Sequence, residues 1–359
     1  MSYERDNIRA MHGYVYGEQP DDPEVIKLNT NENPLPPSPA VRRALQSFDV
    51  DALRRYPPAT AAGFRRLAAE RHGVDPEQLI VTNGGDELLR LAITTFVEPR
   101  SIIATTDPSY SLYPVLAAVQ DAAMHTIPFN QGWQLPEEFA AEANGAGAQL
   151  TCIVNPHAPS GALLDVNTLR SLARDLNGVL LIDEAYADFV DPDLGYNAIP
   201  LTREFDNVLI LRTLSKGYSL AGLRFAYGVG SPGLIEPMVG KTRDSYNVDG
   251  LAQCVAEAAF GDLDYARESW RTVRENRAEL ATALRDRGFA VEPSQANFLL
   301  VDPPPPAAQR WMEGLREAKV LVRWFDSEGM RSRLRITIGT RQENERLLAG
   351  IDTILRSHT

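Results

Sequence analysis

Runs of apolar residues alternate with helical patterns between about residues 40 and 260, and this alternation constrains the fold more than any other feature. Leu150–Val154, Val179–Ile182 and Val208–Leu211 are apolar segments of strand length, and helical patterns such as Leu169–Leu176 lie between segments of this kind. Strands that are covered by helices on both faces are typically continuous apolar runs. The alternation therefore predicts an α/β fold with a mostly parallel central sheet covered by helices.

The pattern changes near residue 260. A long charged helix is predicted over Tyr265–Arg287, and an α+β succession follows it to a final helix. Residues 1–39 are rich in proline, asparagine and acidic residues without sustained periodicity, which is typical of an extended arm that packs on another part of the molecule. The 359 residues exceed the roughly 100–200 of one common domain. The sequence thus predicts a large domain over residues 40–260, a smaller α+β domain over residues 261–359, and an N-terminal arm.

Composition excludes several classes of function. With 48 acidic and 36 basic residues the net charge is −12, which argues against duplex nucleic acid as a ligand because binding phosphates along a duplex needs a basic surface. The cysteines, Cys152 and Cys254, fit neither a disulfide scaffold nor a zinc site. The five histidines lack paired metal-ligand spacing, so we expect no metal. The sequence shows neither a signal peptide nor a membrane span, and we expect a cytoplasmic protein that does not contact membranes.

A glycine-rich turn joins a predicted strand to a predicted helix at residues 81–87. Gly84 and Gly85 allow close backbone approach to a ligand, and the helix that starts near Asp86 offers free N–H groups. This arrangement is typical of a phosphate cradle, although it is neither a P-loop nor a dinucleotide fingerprint. The alternative is a tight turn with an acidic helix start.

Two polar residues follow predicted strands at what should be one edge of the sheet. Asp183 ends the apolar run Val179–Ile182, and Asn155 opens the rigid turn Asn155–Gly161. Ligands of open α/β sheets bind outside the carboxyl ends of the strands, so these side chains are candidates for a ligand crevice. The alternative for Asp183 is a helix cap.

Lys216 is the most informative basic residue. Only four of the 36 basic residues are lysines, so a lysine in a loop free of acidic residues suggests chemistry that an arginine cannot perform. Burial and neighbouring cations lower the pKa of an amine and leave the free base that a nucleophile needs. Thr213, Ser215 and Arg224 in the same loop are natural phosphate donors. The alternative is a surface loop with incidental charge.

Taken together, these motifs resemble the class I and II aminotransferases of fold type I, which use pyridoxal 5′-phosphate (PLP), and in particular their histidinol-phosphate group. The resemblance extends over essentially the whole chain. The motifs that carry it, in chain order, are Leu28–Pro34, Arg55–Pro57, Gly84–Glu87, Asp107–Tyr110, Asn155–Gly161, Asp183–Tyr186, Ser215–Lys216 with Arg224, Asn297–Phe298 and Leu334–Gly339.

The resemblance implies a role for each matching residue. Lys216 would form the Schiff base with the cofactor and later move a proton. Asp183 would pair with the pyridinium nitrogen. Tyr110 would stack on the ring, and Asn155 and Tyr186 would bond its 3′-oxygen. Residues implied to hold the cofactor phosphate are Gly84, Gly85, Asp86, Thr213, Ser215, Arg224 and, from the neighbouring subunit of a homodimer, Tyr56. Residues implied to contact substrate are Asn33, Asn155, Arg323 and Arg335.

The resemblance also implies that the N-terminal arm joins the C-terminal third in the small domain. The implied reaction is transamination between histidinol phosphate or imidazole-acetol phosphate and 2-oxoglutarate or glutamate, in histidine biosynthesis. Three alternatives stay open: an aromatic or broad-range aminotransferase, a phosphothreonine decarboxylase of the same fold, and a non-catalytic PLP-binding module. The sequence departs from the pattern at Gly85 and in the Asn155–Gly161 turn, where His157-Ala158 and Ser160 stand.

Overall fold

The computed structural model describes residues 2–358 of the chain. Its strands, in chain order, are β1 (Ile26–Leu28), β2 (Leu79–Thr82), β3 (Ile102–Asp107), β4 (Ala123–Pro128), β5 (Ala148–Val154), β6 (Val179–Asp183), β7 (Val208–Thr213), β8 (Ala226–Gly230), β9 (Ala290–Val291), β10 (Phe298–Asp302), β11 (Val320–Trp324) and β12 (Leu334–Thr337).

The helices lie between these strands and at the two ends of the chain. They are α1 (Asp6–Ala10), α2 (Pro39–Ser47), α3 (Ala62–His72), α4 (Gly84–Phe96), α5 (Leu112–Gln120), α6 (Phe139–Gly145), α7 (Val166–Asp175), α8 (Leu201–Glu204), α9 (Pro232–Pro237), α10 (Gly250–Gly261), α11 (Leu263–Arg285), α12 (Ala308–Glu317) and α13 (Arg341–His358). Within residues 2–358, no helix combines the length and the apolar character that crossing a bilayer requires.

The large sheet has the strand order β2-β8-β7-β6-β5-β3-β4, and the prediction of an α/β fold with a mostly parallel sheet is confirmed. All neighbouring strands in it are parallel except where β8 pairs with β2 and β7. The apolar runs explain this arrangement, since Leu180, Leu181 and Ile182 of β6 are fully buried between two layers of helices.

The parallel strands bring their carboxyl ends to one edge of the large sheet. Val154 at the end of β5 is in register with Asp183 at the end of β6, which in turn is in register with Leu211 near the end of β7. The loops that leave these strands must therefore begin side by side. A ligand crevice at this edge is what the topology of an open α/β sheet favours.

The small sheet combines the N-terminal arm with the C-terminal third of the chain. Its strand order is β1-β11-β12-β10-β9, and β1 pairs in parallel with β11. The core on one face of the large sheet continues into that of the small sheet through α11, whose Val273 and Leu280 are buried. Helix α10 ends at Gly261, close to the domain boundary expected from the sequence, and the exact division of the chain stays a prediction.

Candidate active site

A cavity of about 480 Å³ opens at the carboxyl edge of the large sheet. Its walls come from three parts of the chain: the strand-end loops of the large sheet, the N-terminal arm through Tyr14 and Asn31, and the small sheet through Arg323 and Arg335. A cavity of this size suits a small molecule together with a cofactor. Of the residues expected from the sequence, the cavity brings together Gly85, Asp86, Tyr110, Asp183, Tyr186, Thr213, Ser215, Lys216, Arg224, Arg323 and Arg335.

Lys216 lies in the loop that follows β7, and its amine faces the N-terminal arm. Its Nζ donates a hydrogen bond of 3.0 Å to the carbonyl oxygen of Thr30. Burial, helped by the positive charge of Arg335, lowers the pKa of Lys216 to about 8. An amine with this pKa is partly neutral near physiological pH, which a Schiff-base lysine requires.

Asp183 presents a buried carboxylate to the same cavity. Oδ1 accepts a hydrogen bond from the backbone N–H of Ala185 at 3.1 Å, and Oδ2 accepts one from the Tyr113 hydroxyl at 3.2 Å. Burial raises the pKa of Asp183 to about 6, although both hydrogen bonds act in the opposite direction. A buried carboxylate of this kind gains from a cationic partner in the cavity.

Tyr113 orients Asp183, although no role for it was predicted from the sequence. It is fully buried in α5, and its ring packs edge-on against Tyr110 with the centroids 5.6 Å apart. No local pattern in the sequence indicates this contact, since Tyr110 precedes α5 and Tyr113 lies in its first turn. An interior tyrosine needs a hydrogen-bond partner, and the strand-end carboxylate is one.

The glycine turn forms a cradle at the N-terminus of α4. Gly84 has a φ of +78°, and a Cβ there would lie 2.5 Å from Nη2 of Arg224. Arg224 donates to Asp86 Oδ2 at 3.2 Å, and the Thr213 hydroxyl donates to the Ser215 hydroxyl at 3.0 Å. Asn83, the N-cap of α4, makes no capping side-chain hydrogen bond, so it leaves the N–H groups of the first turn of α4 available. These donors make an anion site.

Tyr186 is buried, and the arm holds its hydroxyl. Asn31 donates from Nδ2 to Tyr186 Oη at 3.0 Å, and Asn31 is itself fixed by two hydrogen bonds with Thr337 of β12. Asn31 has a φ of +55°, a conformation that asparagine tolerates better than most residues. Asn31 belongs to the Leu28–Pro34 motif, but its contact with Tyr186 was not predicted from the sequence.

Asn155 does not line the cavity in this structure, and its contact with a ligand stays a prediction. Its Nδ2 donates to the Leu164 carbonyl at 3.0 Å and to Tyr196 Oη at 2.9 Å, while its Oδ1 accepts from the Leu164 N–H. Tyr196 in turn donates to Glu184 Oε1 at 2.7 Å. Asn155 is thus fully used in closing its own turn, and Ala158 from that turn lines the cavity instead.

Asn33 also lies outside the cavity lining, and its contact with substrate stays a prediction. Its Nδ2 donates to the Ser269 hydroxyl at 3.0 Å and, at 3.5 Å, to the carbonyl of Gly217. Its Oδ1 accepts from the N–H of Leu35. Asn33 therefore ties the arm to α11 beside the lysine loop, and Asn29 and Asn31 are the arm asparagines that line the cavity.

Arg335 and Arg323 stand opposite each other on β12 and β11 and form the cationic end of the cavity. Arg335 donates to the Asn29 carbonyl at 3.2 Å, and its buried Nε has no partner within residues 2–358. No carboxylate of the described chain pairs with either guanidinium, and burial lowers the pKa of Arg335. Two uncompensated guanidinium groups recognise a carboxylate or a phosphate.

Tyr56 lies outside the cavity of its own chain. It is 80% exposed and stacks on Tyr246, with the ring centroids 4.4 Å apart.

Gly84 also does not line the cavity, and it belongs to the site through the close approach of Arg224. Across residues 2–358, no three histidine, cysteine, aspartate or glutamate side chains come close enough to hold a metal ion.

Comparison with known proteins agrees with the chemistry of this site. Residues 23–351 match the family model described as aminotransferase class I and II. The chain is 43% identical over 356 residues to histidinol-phosphate aminotransferase 1 of Trichormus variabilis, covering 99% of each protein. It is 41% identical over 351 residues to histidinol-phosphate aminotransferase of Geotalea uraniireducens, covering 98% of this chain and 99% of that one.

A solved structure shares the fold. The histidinol-phosphate aminotransferase of Sinorhizobium meliloti in complex with pyridoxal-5′-phosphate superposes with a TM-score of 0.90, covering 100% of this chain and 99% of that one. Its sequence identity is 23%, so the superposition by itself is evidence for the fold alone.

Proposed function

This chain belongs to the class I and II aminotransferase family, and from that premise we propose that it is a PLP-dependent transaminase of histidine biosynthesis. It transfers an amino group between glutamate and imidazole-acetol phosphate to give 2-oxoglutarate and histidinol phosphate, or catalyses the reverse reaction. The observation that carries the proposal is a single cavity that contains the Lys216 amine, the Asp183 carboxylate and the anion cradle. The same cavity contains two arginines that have no carboxylate partner.

The residues present fit pyridoxal phosphate. A Cβ at Gly84 would lie against Arg224, and the cavity beside it is lined by Gly85, Thr213, Ser215 and Arg224, whose N–H, hydroxyl and guanidinium donors suit a phosphate. The cofactor phosphate would lie in this cradle, with Asp183 at the ring nitrogen and Tyr110 against the ring face. When bound, the cofactor supplies an aldehyde that captures amino groups and a ring that withdraws electrons.

Lys216 provides the amine that binds the cofactor and the base that moves the proton. Its pKa of about 8 keeps a substantial fraction of the side chain neutral at physiological pH. The same amine would accept the proton from the substrate Cα as a base and release it again as an acid. A guanidinium stays protonated and performs neither task.

Asp183 would hold the ring nitrogen of the cofactor in its protonated form. Its carboxylate is held in place by Ala185 N–H and Tyr113 Oη, so no reorientation is needed when charge develops. Tyr186 would bind the cofactor through its hydroxyl, which Asn31 keeps in position.

The arginines select anionic substrates. Arg335 and Arg323 together offer enough donors for the carboxylate of glutamate and the phosphate of histidinol phosphate. A histidinol-phosphate aminotransferase and an aromatic or broad-range aminotransferase both need such a cation, so the arginines do not distinguish them. The full-length relatives favour the phosphorylated substrate.

A half-reaction panel tests the proposal. The PLP-loaded protein is mixed separately with histidinol phosphate, glutamate, phenylalanine and phosphothreonine, and the loss of the visible absorbance of lysine-bound cofactor is followed. We expect fast loss with the first two. Fast loss with phenylalanine would favour the aromatic or broad-range reading, and release of carbon dioxide from phosphothreonine without an amino acceptor would favour the decarboxylase. No reaction with any of them would favour the non-catalytic module.

We further propose that the chain forms a homodimer in which Tyr56 reaches the cofactor phosphate of the partner. Tyr56 is exposed, and three apolar residues that shortly precede it in the chain, Leu45, Val50 and Leu53, are each about half exposed or more. Large apolar side chains that gather on a surface are typical of an interaction site. A twofold axis would place two equal copies of Tyr56 at two equal sites.

Subunit complementation tests this dimer. The variants Tyr56→Ala and Lys216→Ala are unfolded together in equal amounts and refolded as a mixture. A mixed dimer then has one site that contains both Lys216 and the partner's Tyr56, so random pairing should restore about a quarter of the unmodified activity. Mixing each variant with itself is the control. No recovery in mixed samples that sediment as dimers would place Tyr56 outside the neighbouring site.

A further inference from the structure

His157 is a buried residue for which the proposed reaction has no use. It lies in the turn after β5, only 2% exposed, and its ring packs against Phe129 and Trp133 with centroid distances of 4.6 and 5.5 Å. Its Nε2 is 2.9 Å from the carbonyl oxygen of Pro108, and its Nδ1 is 2.7 Å from the Ser160 hydroxyl. Both ring nitrogens thus have a partner.

The partners determine which nitrogen carries the proton. A carbonyl oxygen only accepts hydrogen bonds, so Nε2 must be the donor toward Pro108. In a neutral ring Nδ1 then accepts, and the Ser160 hydroxyl donates to it. Burial lowers the pKa of His157 to about 4, so the ring stays neutral at physiological pH. The same Ser160 oxygen accepts from the Ala162 N–H at 3.1 Å, which fixes the turn itself.

Pro108 connects this histidine to the cofactor wall of the cavity. Pro108 and Tyr110 both line the cavity, two residues apart in the loop that follows β3. The Pro108 carbonyl has one other donor, a longer contact of 3.3 Å from the Thr106 hydroxyl within the same loop. His157 is therefore the contact that attaches this carbonyl to a different strand-end loop.

Resting on the proposed function, we propose that His157 is a positioning residue that holds the Pro108–Tyr110 segment so that the Tyr110 ring packs on the cofactor. It does not touch the reacting atoms. It acts through its hydrogen bond to the Pro108 carbonyl, which ties the loop after β3 to the turn after β5. Losing one buried hydrogen bond to this carbonyl should weaken PLP retention roughly 10-fold, with most of the turnover number restored at saturating PLP.

Two substitutions separate the hydrogen bond to Pro108 from simple packing. A glutamine amide reaches about as far as Nε2 and can donate to Pro108, whereas an asparagine amide reaches only about as far as Nδ1. We expect His157→Gln to keep the PLP dissociation constant within about threefold and His157→Asn to raise it roughly 10-fold. The matched control is His72→Asn, which should leave PLP binding unchanged. His72 lies away from the cavity, and its Nε2 is 2.8 Å from the hydroxyl of Tyr227.

Coupling to Tyr110 distinguishes positioning from stability. The PLP dissociation constant is measured by equilibrium dialysis for the single variants His157→Asn and Tyr110→Leu and for the double variant. If His157 acts through Tyr110, the His157 substitution should change the constant less than about twofold once Tyr110 is absent. An equal change in both backgrounds, or equal retention by the asparagine and glutamine variants, would overturn the inference. If the unmodified protein does not retain PLP on Lys216, the proposed function fails instead.

Discussion

The pKa of Lys216 leads to a prediction about how fast the cofactor is captured. Burial and the charge of Arg335 lower this pKa from 10.5 to about 8. At a pH of about 7.5 this leaves about a quarter of the Lys216 side chains neutral, against roughly one in a thousand for an ordinary lysine. The protein freed of cofactor should therefore bind PLP covalently with a rate that rises with pH and levels off above about pH 9, with its midpoint near 8.

Substituting Arg335 tests the origin of this shift. In Arg335→Met the nearby positive charge is gone, so the ammonium form of Lys216 is less disfavoured and the midpoint should move upward. Because burial is the larger cause, the midpoint should still lie well below 10.5. The assay is stopped-flow absorbance after mixing cofactor-free protein with PLP. The same reaction with free Nα-acetyl-lysine is the reference for the pH dependence that comes from the titration of PLP itself. A second control is Lys216→Arg, which should give no visible absorbance band.

Two results would contradict this reasoning. A midpoint near 10.5 in the unmodified protein would mean that Lys216 is hydrated rather than buried in the cavity. An unchanged midpoint in Arg335→Met, with the fold intact by circular dichroism, would mean that Arg335 does not act electrostatically on the amine.

Other predictions concern the carboxylate and the cationic end of the cavity. Asp183→Asn should keep PLP bound and lower turnover on the order of 10²- to 10³-fold, because an amide does not stabilise a protonated ring nitrogen; near-unmodified turnover at saturating PLP would refute the role. Arg335→Lys should raise KM roughly 10-fold or more for both glutamate and histidinol phosphate without altering the visible spectrum, since an ammonium cannot bind an anion bidentately. Arg323→Ala should raise KM for histidinol phosphate far more than for glutamate, and equal losses would favour a broad-range aminotransferase.

The buried strands could be predicted from the sequence because their information is local. The predicted segments Leu150–Val154 and Val179–Ile182 fall within β5 and β6, whose apolar runs are what a sheet covered on both faces needs. Three strands gave no such signal. β4, at the edge of the sheet, is only partly buried and mixes polar with apolar residues, β9 has only two residues, and β1 pairs with β11 alone.

The candidate site shows the same limit at the level of side chains. Lys216 and Asp183 follow apolar strands directly, so their place at the sheet edge followed from the topology. Asn155 also follows a strand, but the direction of its side chain is decided by Leu164 and Tyr196, which no local pattern reveals. Similarly, the choice between the arm asparagines depends on where β12 passes, since Thr337 is what turns Asn31 toward the cavity.

The pairing of the arm with the far end of the chain has a consequence for biosynthesis. Asn31 and Thr337 are 306 positions apart, so the arm leaves the ribosome long before its partner strands exist. The large sheet, complete by Gly230, can assemble during translation, while β1 waits for β11. The wall that holds Tyr186 and faces Lys216 is therefore among the last parts to form. A nascent chain stalled before β11 would carry the lysine and the phosphate cradle in an open groove, and completion of translation is the event that closes it.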